Sequence, residues 1–164
     1  MNDNDKDELT TIESIVELGI CLAVCMGAAV IGVFFSPGEW YDMLAKPSWT
    51  PPDDIFPWVW SILYITMGIA LWLIWRQRGA KGIKGPLLVF ILQLLLNAAW
   101  SYLFFGLHMT GLALIDAIFL TITLLVTVIL FWRVYVIAGV ILLPYLLWMI
   151  FAVWLNFMIW HLNF

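Results

Sequence analysis

Trp60, Asn97 and Trp148 are the residues of this 164-residue chain that first invite a chemical reading. Each carries one polar handle inside or beside a long apolar run. An amide left unpaired in hydrocarbon costs several kcal/mol, so Asn97 must face protein or a cavity. Trp100 follows one helical turn later on the same face. Trp60 and Tyr64 stand four apart and stack, while Trp148, Ala152 and Leu155 share a face with Asn156 beside them. A buried indole wants a partner for its N–H. Aromatic walls with a few amides suit a flat apolar ligand oriented by a small number of polar groups. They do not suit hydrolysis or group transfer, because no acid–base pair, nucleophile constellation or metal set accompanies them. Cys21 and Cys25 are too few for a zinc site or a disulfide framework and read as packing residues. Asp116, a short way into an apolar run, is expected to be structurally paired rather than to carry protons.

The elements that hold these residues must be membrane helices. The chain is 65% hydrophobic and 11% charged, with a mean hydropathy of +1.03. A soluble domain is nearer half apolar and a quarter charged. A spanning helix takes roughly 20 apolar residues, and five stretches qualify, at about 15–35, 55–75, 85–105, 111–132 and 135–159. Pro144 should kink the last of them. Short connections make neighbouring spans antiparallel. The expected fold is an all-α integral membrane bundle of five transmembrane helices, with a long Trp/Pro-rich loop between helices 1 and 2. Residues 1–14 are acidic and unlike a signal peptide, and are expected to form a disordered tail. Residues 15–164 then make one membrane domain.

That long connection, WYDMLAKPSWTPPDDIFPWVW over residues 40–60, carries four of the seven prolines. Each residue before a proline is pushed out of the α region, so the segment is stiff and extended. Two readings stand: a lid over a cavity, or a belt of tryptophan and tyrosine at headgroup level. Lys6, Arg76, Arg78, Lys81, Lys84 and Arg133 fall on one side of the membrane and Lys46 on the other. The positive-inside rule then sets the N-terminus inside and the C-terminus outside. On the first helix Gly19, Ala23 and Gly27 form one small-residue stripe and Cys21, Cys25 and Ala29 another. Either allows close approach of helices, within the bundle or between protomers.

With these residues laid out, the chain resembles the tryptophan-rich sensory protein and translocator protein family (TspO/MBR). The matching stretches are WYDMLAKPSWTPPDDIFPWVWSILYITMG, QLLLNAAWSYLFFG, ALIDAIFL and LLPYLLWMIFAVWLN. The resemblance implies a five-helix bundle, usually a homodimer in a lipid bilayer, most simply the cell membrane. It implies binding of porphyrins and of isoquinoline or benzodiazepine ligands in a pocket roofed by the first loop. By similarity that pocket holds Tyr41 and Pro51 from the loop, then Trp60, Tyr64, Asn97, Trp100, Trp148, Ala152 and Leu155. The first helix matches least well and contributes no expected pocket residue. The last stretch, AVWLNFMIWHLNF, lacks the tyrosine and basic residue of the cholesterol pattern of animal members.

The leading expectation is a porphyrin-binding protein with a sensing role in tetrapyrrole or stress response. Porphyrin would be a ligand, with no cofactor required, no metal site and no nucleic-acid partner. Its propionates would seek Lys46 at the loop rim, and His108 and His161 lie too near helix ends to ligate haem. The alternative is an enzyme degrading protoporphyrin in light and oxygen, with Trp60 and Trp148 as redox-active side chains. A transporter is less favoured, because the five spans contain no repeated half.

Overall fold

The computed structural model describes residues 3–35, 37–79 and 82–164, with side chains described from Thr11 onward. Lys6 and Lys81, counted above in the charge balance, therefore lie outside the described side chains. All regular structure among the described residues is helical. The elements are α1 (Asp3–Phe34), α2 (Glu39–Met43), α3 (Ile55–Trp75), α4 (Lys84–Ser101), α5 (Thr110–Val134), α6 (Val136–Val140) and α7 (Leu143–Asn163). A π-helical turn, Tyr102–Gly106, extends α4. Among the described residues, five segments are long and apolar enough to cross a membrane: Thr11–Phe34, Ile55–Trp75, Lys84–Gly106, Thr110–Val134 and Val136–Asn163.

Three expectations change. The acidic segment expected to be disordered is helical from Asp3 and continuous with α1. Acids concentrated in the first turns favour the positive end of the helix dipole, a local reason for the helix to begin early. The last span is broken rather than kinked in its middle: α6 ends at Val140, a turn follows, and α7 restarts with Pro144 in its first turn. Proline has no N–H to give the carbonyl four residues back, and its ring crowds that carbonyl. The connection between α1 and α3 is not wholly extended, because Glu39–Met43 closes a short helix.

Consecutive spans pack as antiparallel neighbours, α1 on α3, α4 on α5 and α5 on α7, while α1 also packs on α4, which runs parallel to it. On α1 the face with Cys21, Cys25 and Ala28 is buried, and both cysteines are free. The crossing with α3 is close. A Cβ added to Gly68 would stand 2.6 Å from Leu22 Cδ2 and 3.0 Å from Leu22 Cα. Gly19, Ala23 and Gly27 point outward instead. From this crossing toward the start of α1, Glu17 Oε1 meets Arg78 Nη2 at 2.7 Å, which places the α3–α4 connection beside the N-terminal half of α1. Deeper in the core, Phe90 of α4 stacks on Phe131 of α5 with ring centroids 5.5 Å apart.

Candidate functional site

A cavity of about 360 Å³ opens between α1, α3, α4 and α7, beneath the segment that joins α1 to α3. Its walls are almost entirely apolar and aromatic. From α3 come Phe56, Trp60 and Tyr64, and from α7 Trp148, Ala152 and Leu155. Asn97 and Trp100 come from α4, and Tyr41 from α2 closes one side. Eight of the nine residues expected from the sequence therefore border one space. Pro51 does not. Thr50 N–H donates to Pro47 O and Ile55 N–H to Pro52 O, and these turns bring Asp53 rather than Pro51 to the cavity.

The polar floor is a chain of buried hydrogen bonds. Tyr64 Oη donates to Asn97 Oδ1 at 2.5 Å, and Asn97 Nδ2 donates to Tyr145 Oη at 2.8 Å. Tyr145 Oη in turn donates to Gln93 Oε1 at 3.3 Å. Asn97 thus ties α3, α4 and α7 together, and both ends of its amide are engaged. Trp100 Nε1 donates to Asn156 Oδ1 at 3.0 Å, and Asn156 Nδ2 donates to Thr110 O at 3.0 Å. The indole N–H of Trp148 is buried and has no partner among the described residues. Trp148 meets Phe56 edge-on at 5.8 Å. On its other side it borders a shallow apolar groove with Val59, Leu147 and Phe151.

Several lining residues were not legible beforehand. Met26, Ala29, Gly32 and Val33 bring α1 into the wall. Phe104 and Phe105 arrive through the π turn, in which Leu107 N–H reaches back five residues to Tyr102 O at 2.9 Å. One extra residue in a turn rotates the following side chains and is often found at functional sites. Trp100 stacks on Phe104 at 5.0 Å as a result. Ala29 was visible only as a packing residue of α1, and no local pattern marks a π turn.

The charges also differ from expectation. Lys46 Nζ donates to Tyr41 O at 2.7 Å and lies 3.9 Å above the Tyr41 ring, so it is not at the cavity surface. Among the described lining residues the charged side chain is Asp53. Burial, and then the nearby charges of Asp53 and Asp42, push the Tyr41 hydroxyl up from its ordinary value, so it stays protonated. Asp116 is 8% exposed and its Oδ2 has no hydrogen-bond partner among the described residues. It lies away from the cavity, and the pairing expected for it is not found at that oxygen. His108 stacks flat on Trp40 at 4.0 Å and His161 on Phe157 at 6.0 Å. Among the described residues no three His, Cys, Asp or Glu side chains are grouped as metal ligands would be.

The sequence profile of the TspO/MBR family matches residues 20–161. Among curated relatives, the tryptophan-rich protein TspO of Chlorobaculum tepidum is 39% identical over 126 residues, covering 74% of this chain and 80% of the relative. Protein CrtK of Rhodobacter capsulatus is 36% identical over 131 residues, covering 77% and 79%. The human translocator protein is 37% identical over 127 residues, covering 74% and 75%. With its membrane-spanning helices and a profile match over most of its length, this chain belongs to the TspO/MBR family.

Proposed function

We propose that this protein binds porphyrin-type tetrapyrroles in the cavity between its helices, and serves a sensing role in tetrapyrrole or stress response. Isoquinoline- and benzodiazepine-like ligands would share the site. The observation that carries the reading is the convergence of Trp60, Trp100 and Trp148, from three different helices, on one apolar space. A flat macrocycle gains most from such walls, and the volume falls within the usual range for small-molecule sites, about 300–1,000 Å³. The porphyrin is a ligand here rather than a resident cofactor. Because Asp53 borders the cavity and Lys46 does not, the propionates are best placed toward water, away from Asp53.

The test is a titration of the purified protein with protoporphyrin in the dark, followed by tryptophan quenching. Trp148→Phe is expected to weaken binding by roughly fivefold, the equivalent of about 1 kcal/mol for one indole against a ring. Trp132→Phe, on the exposed face of α5 and outside the cavity, should leave affinity unchanged. Equal losses in both variants would remove the cavity from the account. A second reading, photo-oxidative degradation of the porphyrin, is favoured by the contiguity of Trp60 with Tyr64 at 5.7 Å and Tyr145 at 6.1 Å. These are electron-rich rings beside the ligand space. Illuminating the same samples in air separates the two: protein-dependent loss of the porphyrin bands means turnover, and stable bands mean binding alone.

The protein is further proposed to sit in the cell membrane with its N-terminus inside, and to pair with a second copy through the outward stripe of Gly19, Ala23 and Gly27. Arg76, Arg78, Lys84 and Arg133 all lie at the ends of spans on one side, the side that the positive-inside rule retains in the cytoplasm. A reporter enzyme fused after Phe164 should be active only outside. Activity inside would reverse the orientation.

A further inference from the structure

The last residue of α7 does something the cavity walls do not. Asn163 Oδ1 accepts from Ala45 N–H at 2.9 Å, and Asn163 Nδ2 donates to Ala45 O at 2.9 Å. One side chain thereby satisfies both backbone groups of a residue 118 positions away. The same Nδ2 also donates to Ile159 O at 2.7 Å, which fixes the amide in its orientation. Leu155 and Ile159 border the cavity, and Asn163 continues their face by one more i+4 step. The latch therefore stands where the α7 wall meets the roof.

Ala45 lies in the irregular part of the roof, between Leu44, whose N–H donates to Tyr41 O, and Lys46, whose Nζ donates to the same carbonyl. Upstream, Trp40 stacks on His108, and Tyr41 packs edge-on against Phe104 and Phe105. Downstream, Asp53 leads directly into α3. Between Leu44 and Asp54 the backbone has no regular structure. The Asn163 amide on Ala45 and Trp49 edge-on to Phe151 at 5.8 Å tie that stretch to α7. Of these, the amide pair is directional and can be undone by water, since both partners are exposed. The aromatic contact tolerates sliding.

We propose that Asn163 is a positioning residue that holds the roof on the α7 wall, and that its release from Ala45 is the step that admits and discharges ligand. This rests on the reading of the cavity as a ligand site. The expected signature is a split between rates and equilibrium. Losing the latch speeds both arrival and departure, while the cavity walls that set affinity stay in place.

The experiment compares the full chain in lipid nanodiscs with Asn163→Ala and Asn163→Asp, using two readouts. Amide hydrogen exchange in peptides covering residues 44–48 reports the roof directly, without any ligand. Stopped-flow displacement of protoporphyrin, read by recovery of tryptophan fluorescence, reports exchange. Asn163→Ala should lose protection at Ala45 and release protoporphyrin about tenfold faster, as expected for two hydrogen bonds of ordinary net strength. Its affinity should change far less than its rates. Asn163→Asp keeps the acceptor for Ala45 N–H and loses the donor to Ala45 O, so it should fall between. Wild-type protection in Asn163→Ala overturns the latch. Lost protection with unchanged release overturns its control of exchange. If the wild-type protein gives no quenching, the reading of the cavity fails and the proposed control of exchange falls with it. The hydrogen-exchange arm still decides whether Asn163 holds the roof.

Discussion

Gly68→Val is expected to destabilise the bundle by about 1–3 kcal/mol, the usual cost of forcing extra methyl groups into a filled interior. The position has no slack. The first added carbon already stands 2.6 Å from Leu22 Cδ2, and a rotamer change of Leu22 does not relieve the contact because its Cα is also 3.0 Å away. The helices must then separate, and the separation spreads along the α1 face that carries Cys21, Cys25 and Ala28. Small residues at such crossings gain their stabilisation from close backbone approach, which lipid cannot replace. Thermal unfolding in detergent measures the effect directly. Ala23→Leu is the matched comparison, because Ala23 is exposed and its neighbours Gly19 and Gly27 have open space where a Cβ would stand. It should leave the melting temperature near wild type and shift the oligomer toward monomer. A Gly68→Val protein that melts like wild type would mean that the α1–α3 seam is not closely packed. An unchanged oligomer in Ala23→Leu would remove the proposed pairing face.

Asn97→Leu is expected to cost stability more than affinity. Both ends of the amide are spent on protein: the oxygen on Tyr64 and the nitrogen on Tyr145. Leucine leaves two buried hydroxyls short of a partner, at about 1–3 kcal/mol for each buried group left unsatisfied. Tyr145 is fully buried and, among the described residues, retains its bond to Gln93. The diagnostic variant is the double change Asn97→Leu with Tyr64→Phe. Removing the stranded hydroxyl together with its acceptor should restore part of the loss, so the double variant is less destabilised than the sum of its singles. Strict additivity in the melting temperatures would show that the two side chains do not depend on each other. A large loss of porphyrin affinity with unchanged stability would instead assign the amide to the ligand.

Much of this was legible in the sequence because a bilayer imposes a simple rule. With no water to satisfy the backbone, long apolar runs must be helices, and Ile55–Trp75 begins and ends where its flanking residues said it would. The same rule required Asn97 to turn inward, and helical spacing then carried Trp100, Tyr64 and the Trp148 face to a common side. What the sequence could not reach depends on contacts between elements distant in the chain. Whether Gly19 or Cys21 faces the bundle is a rotation of α1 that only the Leu22–Gly68 crossing decides. The π turn that delivers Phe104 and Phe105 has no local signature, since it is stabilised by what those rings meet. Lys46 looked free beside a water-facing loop, yet Tyr41 draws its ammonium away from the cavity. Local propensity and hydropathy determine which segments are helices and which side chains need partners, while the choice of partner depends on helix rotation and loop path. Those are set by packing summed over the whole bundle, and only the tertiary structure contains that sum.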